Sequence, residues 1–272
     1  MKFLMISNNP EIAAFAAENG VDRIFVDLEI DGKVERQGHL TTWISPHKKR
    51  DVRIIREAIG DKHLLTRINP ISEHSKTEID AVIDNGTDSI MLPMFKSVDE
   101  VKKFVDLVDG RVATIPLIET ASALAAIDSI SDLEISELFF GLNDLHLDLG
   151  LNFLFEPIAQ RLLDDACKIL ISKNLPFGIG GLARVGEGMI PAEKLLCEHA
   201  RLGSTGAILS RTFHRMAESV PEIQQNMDFA AEVQLLRDKF KMAQSLNKAQ
   251  LDASLHDIQI SVSEILRKSN AS

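Results

Sequence analysis

A closed (β/α)8 barrel is the fold class this sequence predicts, and three observations carry it. Apolar runs of strand length alternate eight times with amphipathic segments long enough for helices. The strand runs are continuously apolar, as parallel strands covered on both faces must be. The connections on one edge are longer than the others, and barrels build their sites on the edge where strands end. A doubly wound open sheet is the competing arrangement. No dinucleotide fingerprint follows the first strand, and Gly178, Gly180 and Ala183 match GxGxxA only late in the chain, which is weak evidence by itself.

In chain order, KFLMI (2–6), RIFVDL (23–28), LLTRI (64–68), SIML (89–92), VATIPLI (112–118), LFF (138–140), PFGI (176–179) and GAIL (206–209) read as strands. The amphipathic stretches 10–18, 46–59, 73–85, 98–108, 120–130, 157–173, 191–202 and the chain beyond 212 read as helices. The long connections are then 29–45 after the second strand, 143–156 after the sixth and 180–190 after the seventh. We expect the barrel to occupy residues 1–220.

Residues 221–272 have a different character, with no glycine and regularly spaced apolar positions among polar ones. Phe229, Val233, Leu236, Phe240 and Ala243 step by helical intervals, as do Leu251, Leu255, Ile258, Val262 and Ile265, with the polar SLNKAQ between the two sets. Two helices, or one with a break, carry this apolar seam. It fits packing on the chain's own barrel and packing on a neighbouring subunit in a homo-oligomer equally well.

At 272 residues and 45% hydrophobic content the chain can bury a large core. Its net charge of -10 argues against nucleic acid or an anionic membrane surface as the main partner. Cys167 and Cys197, each inside a helical pattern, suit reduced thiols better than a disulfide framework. The opening MKFLMISNNP is too short an apolar run for a signal peptide or a membrane span, so the expected address is the cytoplasm.

Two carboxylates stand at the ends of strands joined by one helical crossover: Glu119 in PLIET and Asp144 in GLNDL. Both therefore belong to the same edge of a parallel sheet. Hard oxygen donors without Cys or His at zinc spacing favour Mg2+ or Mn2+ over Zn2+. A cation held by two carboxylates keeps positions open for the carboxylate and 2-oxo oxygen of a keto acid, where it can stabilise an enolate as a carbon–carbon bond breaks or forms. The plainer readings are a helix-first-turn acid for Glu119 and a turn residue for Asp144.

Asp27 and Glu29 lie two apart in VDLEID and share a face near the strand's end. They can hydrogen-bond metal-bound waters or relay a proton, or they can be solvated loop acids. Arg67 ends the third strand, where a guanidinium is costly to bury without an anion; its partner is either the substrate or one of the site's own acids. Gly180 and Gly181 fall where late barrel loops often cradle phosphate, and with Arg184 and Arg211 they are candidates for holding a distal anionic group; loop geometry explains the glycines equally well. His39, His47 and His146 lie on the same edge without metal-ligand spacing. A Schiff-base route needs an inward lysine near a strand's end, and Lys96 is the nearest to one, so a metal-dependent route is preferred.

Taken together, VDRIFVDLE, TRIN, GTDSIMLPMFKSVDEV, IPLIET and FFGLNDLHLDLG resemble the HpcH/HpaI aldolase and citrate lyase β-subunit family, barrels of the phosphoenolpyruvate/pyruvate type. The likeness is specific from Asp22 to Gly150 and looser to Arg211. It implies Glu119 and Asp144 as Mg2+ or Mn2+ ligands, Arg67 as the substrate contact, and Asp27 with Glu29 around metal-bound water. The implied reaction is reversible aldol or Claisen-type cleavage giving pyruvate, another 2-oxo acid or an acyl enolate.

Three departures from the family pattern matter. Ile30 follows Glu29 where aldolase members carry a histidine, which leaves the general base unassigned. Lys33 and Arg36 only partly match the basic stretch of citrate lyase-like members. Met94 stands where coenzyme A-using relatives often have lysine. The expectation is a carbon–carbon lyase of the metal-dependent aldolase type. The alternatives are a citrate- or malyl-coenzyme A-type thioester lyase and a catalytically silent barrel that assembles or regulates.

Overall fold

The computed structural model describes residues 1–30 and 48–269. Its centre is a closed barrel of eight parallel strands in sequence order: β1 (Lys2–Ile6), β2 (Arg23–Asp27), β3 (His63–Arg67), β4 (Ser89–Leu92), β5 (Ala113–Ile118), β6 (Leu138–Phe140), β7 (Phe177–Leu182) and β8 (Gly206–Leu209). Strand β8 pairs back onto β1, so no strand edge is left open.

Alternation along each strand sorts the side chains into two environments. Leu4, Phe25, Leu65, Met91, Ile115, Leu117 and Phe139 pack as one cluster inside the barrel. Their neighbours Phe3, Ile24, Val26, Leu64, Ile90, Leu138 and Phe140 belong to the larger core between strands and helices. The glycine pattern late in the chain serves this packing. A Cβ on Gly178 would lie 2.2 Å from the Phe139 ring and one on Gly206 2.9 Å from it, so β7 and β8 leave the barrel interior to that phenyl group.

The helices are α1 (Pro10–Glu18), α2 (Lys49–Ile59), α3 (Ser75–Asp84), α4 (Val98–Val108), α5 (Ala121–Ala125), α6 (Ile127–Ile130), α7 (Leu142–Asp148), α8 (Glu156–Ala159), α9 (Asp164–Ser172), α10 (Ala192–Leu202), α11 (Val220–Asn226), α12 (Phe229–Gln244) and α13 (Lys248–Ser269). A 3-10 turn at Arg211–His214 follows β8. Three of these differ from expectation. The helix expected over 120–130 is two pieces, parted where Ala126 leaves helical geometry at ψ 11°. The one expected over 157–173 is interrupted by Arg161, which adopts φ 60° and reaches Asp164 through Nε at 2.9 Å. Finally, α7 lies within a stretch that reads as loop, and it carries Asp144 in its first turn.

The C-terminal seam faces the chain's own barrel. Phe229, Val233, Leu236, Phe240 and Ala243 of α12 and Leu255, Ile258 and Val262 of α13 are buried, and both helices lie on α10. Phe229 packs edge-to-face with Phe15 and Phe213 at 5.5 and 5.4 Å. Arg237 of α12 reaches the barrel's closed end, donating to the Met1 carbonyl at 2.9 Å and to Asp22 at 2.8 Å. The break between the helices has a capping cause: Asn247 accepts from the Gln250 N–H, and the Gln250 side chain accepts from the Asn247 N–H, each at 3.0 Å. Among the described residues no helix is long and apolar enough to cross a membrane.

Candidate active site

The alternation that fills the barrel also builds its mouth. Asp27, Arg67 and Glu119 stand two residues beyond the interior residues Phe25, Leu65 and Leu117, so each is the next inward position at the C-terminal end of its strand. Asp27 and Arg67 are direct partners in the β2–β3 register. Arg67 Nε donates to Asp27 Oδ1 at 2.9 Å and Nη2 to Oδ2 at 2.8 Å, a two-pronged clamp. Its Nη2 lies 3.4 Å from Glu29 Oε2 and its Nη1 3.5 Å from Glu119 Oε1. Of the two readings of Arg67, this structure displays the one with the site's own acids. Burial alone works against the guanidinium charge, but Asp27, Glu29 and Glu119 outweigh it and hold the group well above its ordinary value.

Glu119 is 3% exposed and precedes the helix cap rather than lying in the first turn: Thr120 is the N-cap of α5, accepting from Ala123 N–H. Burial pushes the Glu119 carboxyl well above the usual range, the charges of Glu29 and Asp144 push it further, and Arg67 and the Met94 N–H only partly oppose them. That N–H donates to Glu119 Oε2 at 3.1 Å, and Met94 adopts φ 54° where it does so. Gly141, the residue after β6, accommodates the same side chain.

Asp144 is buried in α7 and close enough to Glu119 to raise its carboxyl. Asp148, one turn on, accepts from the Ala121 N–H at 2.7 Å and so ties α7 to the start of α5. His146 is buried with Nδ1 3.1 Å from the Leu142 carbonyl, a contact within its own helix.

Asn69 and Glu78 are additional parts of this edge. Asn69 Oδ1 accepts from the Ile30 N–H at 2.9 Å, and Asn69 Nδ2 donates to Glu78 Oε1 at 2.8 Å. This chain of bonds fixes the backbone just after Glu29. The asparagine in TRIN was visible in the sequence, but its partner 39 residues away was not. Lys33, Arg36, His39 and His47 lie outside the described residues.

The remaining candidates divide. Arg211 is half-buried and shares the site electrically, since Asp27 opposes the downward pull of burial on its charge. Arg184 is buried and pairs with Glu187 through Nε at 3.2 Å and through Nη2; Glu187 also meets Arg215 at 3.3 Å. That pairing joins the turns after β7 and β8. Gly181 adopts φ 91° where the β7–β8 register shifts, which only glycine does freely. Gly180 beside it has ordinary strand contacts, with a Cβ 3.7 Å from Ile208. Lys96 is exposed, and its N–H belongs to the Glu100 cap of α4.

Glu119 and Asp144 carry hard oxygen donors of the kind Mg2+ and Mn2+ take. Three carboxylates, Asp27, Glu29 and Glu119, surround the Arg67 guanidinium, and burial, with the charges of Glu29 and Asp144 behind it, raises the Glu119 carboxyl. Among the described residues no group of three or more His, Cys, Asp or Glu is placed to hold a metal ion.

Residues 1–172 match the HpcH/HpaI aldolase/citrate lyase family. Among solved structures, an HpcH/HpaI aldolase from Desulfitobacterium hafniense DCB-2 is similar with a TM-score of 0.59 at 16% identity, covering 91% of this chain and 94% of that one. An HpcH/HpaI aldolase/citrate lyase family protein from Burkholderia cenocepacia J2315 is similar with a TM-score of 0.63 at 15% identity, covering 83% and 94%. The citrate synthase SbnG has a TM-score of 0.60 at 16% identity, covering 88% and 93%. Likeness at such identities is likeness of fold. No curated protein matches the chain.

Proposed function

The chain belongs to the HpcH/HpaI aldolase/citrate lyase family, and we propose that within it this protein is a divalent-metal-dependent carbon–carbon lyase acting on a 2-oxo or 3-hydroxy acid. The observation that carries the proposal is the placement of Glu119. Its carboxyl is buried against Glu29 and Asp144 and held well above the usual range, an arrangement that a bound cation would relieve.

Glu119 and Asp144 are assigned to hold Mg2+ or Mn2+. When bound, the ion supplies Lewis-acid stabilisation for the enolate of a 2-oxo acid such as pyruvate. Arg67, fixed by Asp27, presents its Nη1 edge toward Glu119, where it can hydrogen-bond the substrate's carboxylate or enolate oxygen. Both oxygens of Asp27 are committed to Arg67, so we assign it to positioning. We assign proton transfer to Glu29, whose Oε2 shares the same guanidinium. Arg211 adds positive charge on the Asp27 side.

The thioester-lyase reading gains little support by comparison, because Arg184 is engaged with Glu187. We further propose a cytoplasmic homo-oligomer; the observation offered for the oligomer is the exposure of Leu235, Met242 and Ile260 on the two C-terminal helices. Sedimentation of the full chain measures the subunit number.

The lyase proposal is tested by exchange of pyruvate methyl protons for deuterium, followed by NMR with Mg2+ or Mn2+, with EDTA, and with Glu119→Gln. Exchange that needs the metal and disappears in the variant is expected. Exchange that survives both EDTA and the substitution overturns the proposal, and so does none at all, repeated with oxaloacetate, 2-oxobutyrate and acetyl-coenzyme A.

A further inference from the structure

We infer that Asn69 and Glu78 are positioning residues for the reaction, and that together they set the direction of Glu29. The inference rests on the lyase reading and deepens it, since Glu29 is the group assigned there to proton transfer. Glu29 lies two residues beyond the end of β2 and is 1% exposed, with Oε2 3.4 Å from Arg67 Nη2. Hydrogen bonds fix the backbone on either side of it. Its own N–H donates to Asp27 Oδ1 at 3.2 Å, and the Ile30 N–H donates to Asn69 Oδ1 at 2.9 Å. The second of these continues the sheet by other means. Bonds in a parallel ladder recur every two residues, and Leu28 donates its N–H to the Arg67 carbonyl at 2.9 Å. The next position pairs Ile30 with Asn69, where a side-chain oxygen takes the place of the main-chain carbonyl. The Ile30 side chain is half exposed, so it is the backbone of this residue that the network uses.

Glu78 decides which way the Asn69 amide points. It is buried in the first turn of α3, where the helix dipole favours a carboxylate. Its Oε1 accepts from Asn69 Nδ2 at 2.8 Å and its Oε2 from the Asn69 N–H at 3.2 Å. A carboxylate only accepts, so Asn69 must turn its NH2 group toward Glu78 and its oxygen toward the Ile30 N–H. The reversed amide would set oxygen against oxygen and N–H against N–H. Glu78→Gln lifts that restriction, because the new NH2 group can meet a reversed Asn69 oxygen. Control therefore passes from Glu78 through Asn69 to the peptide that follows Glu29, and so to the carboxylate beside Arg67. A proton acceptor displaced by a fraction of an ångström loses its alignment with the substrate's methyl group, while the groups that bind the substrate stay in place. The loss then falls on kcat rather than on KM.

The test uses the full chain with Mg2+ and the variants Asn69→Ala and Glu78→Gln, the latter nearly isosteric. It reads kcat and KM for exchange of pyruvate methyl protons in deuterium oxide, and deuterium uptake at the Ile30 amide followed by NMR. We expect kcat to fall about tenfold or more in both variants, with KM within about twofold of that of the unaltered chain. Uptake at Ile30 should quicken in both, including Glu78→Gln, which alters neither atom of the Ile30–Asn69 bond. No pyruvate exchange in the unaltered protein defeats the lyase reading and this role with it. Where the unaltered protein exchanges, several results overturn the role alone: a kcat that holds in either folded variant, a loss confined to KM, Ile30 uptake that does not change, or failure of both variants to fold.

Discussion

Gly141 lies against Glu119 so closely that no side chain fits there: a Cβ would stand 2.6 Å from Glu119 Cγ and 2.8 Å from Oε1. The glycine continues the inward register of Phe139 on β6, and its missing side chain is the space that the neighbouring strand's carboxylate fills. Gly141→Ala should therefore act on the site before it acts on the fold. One buried methyl group too many costs about 1–3 kcal/mol. Displacing Glu119 should weaken Mn2+ binding at least about tenfold, a loss near 1.4 kcal/mol in binding free energy. Calorimetric titration with Mn2+ beside urea denaturation checks both. A variant that binds Mn2+ as tightly as the unaltered chain would show that Glu119 does not hold the ion.

The Asp27–Arg67 clamp yields the second prediction. Arg67→Lys keeps the charge but loses the fork, because an ammonium group cannot meet both Asp27 oxygens while also facing Glu29 and Glu119. The variant should fold, since a buried cation still accompanies the acids, yet lose about 10²-fold in exchange rate, the scale seen when one stabilising donor is removed. Steady-state exchange rates at saturating pyruvate measure it. A lysine variant as active as the parent would confine Arg67 to a structural role.

Much of this site was legible in the sequence because a barrel converts alternation into position. Once Phe25, Leu65 and Leu117 are taken as interior residues, Asp27, Arg67 and Glu119 follow two residues later on the same edge. Contacts set by backbone geometry were not legible. Nothing in LPMF announces that Met94 adopts φ 54° and turns its N–H toward Glu119, and GLNDLHLD reads as a loop because α7 is only seven residues long. Arg184 shows the opposite limit. A basic residue near the last strands suggested an anion contact, but its sequence neighbour Glu187, three residues on, engages it. Phase alone could not decide what the C-terminal seam covers, because an apolar stripe is the same whether it meets its own barrel or another copy.

A third prediction concerns acid stability, away from the active edge. His199 of α10 is buried with Nδ1 2.9 Å from Ser204 Oγ, and burial, with a smaller contribution from the positive N-terminus, pushes its pKa down to about 3. The imidazole is therefore neutral in the folded chain at neutral pH. Its value in the unfolded chain is near the ordinary one, about 6.5. Between those two values the unfolded state binds a proton that the folded state does not. This contribution to stability is complete above about pH 6.5 and declines by roughly 1.4 kcal/mol per pH unit as the pH falls toward 3. His199→Gln removes the titrating ring, so its unfolding free energy should fall less between pH 7 and pH 5 than that of the unaltered chain, even though the variant starts out less stable. Urea denaturation of both proteins at the two pH values measures the difference. Equal losses in the two proteins would mean that His199 binds its proton in the folded state as readily as in the unfolded one.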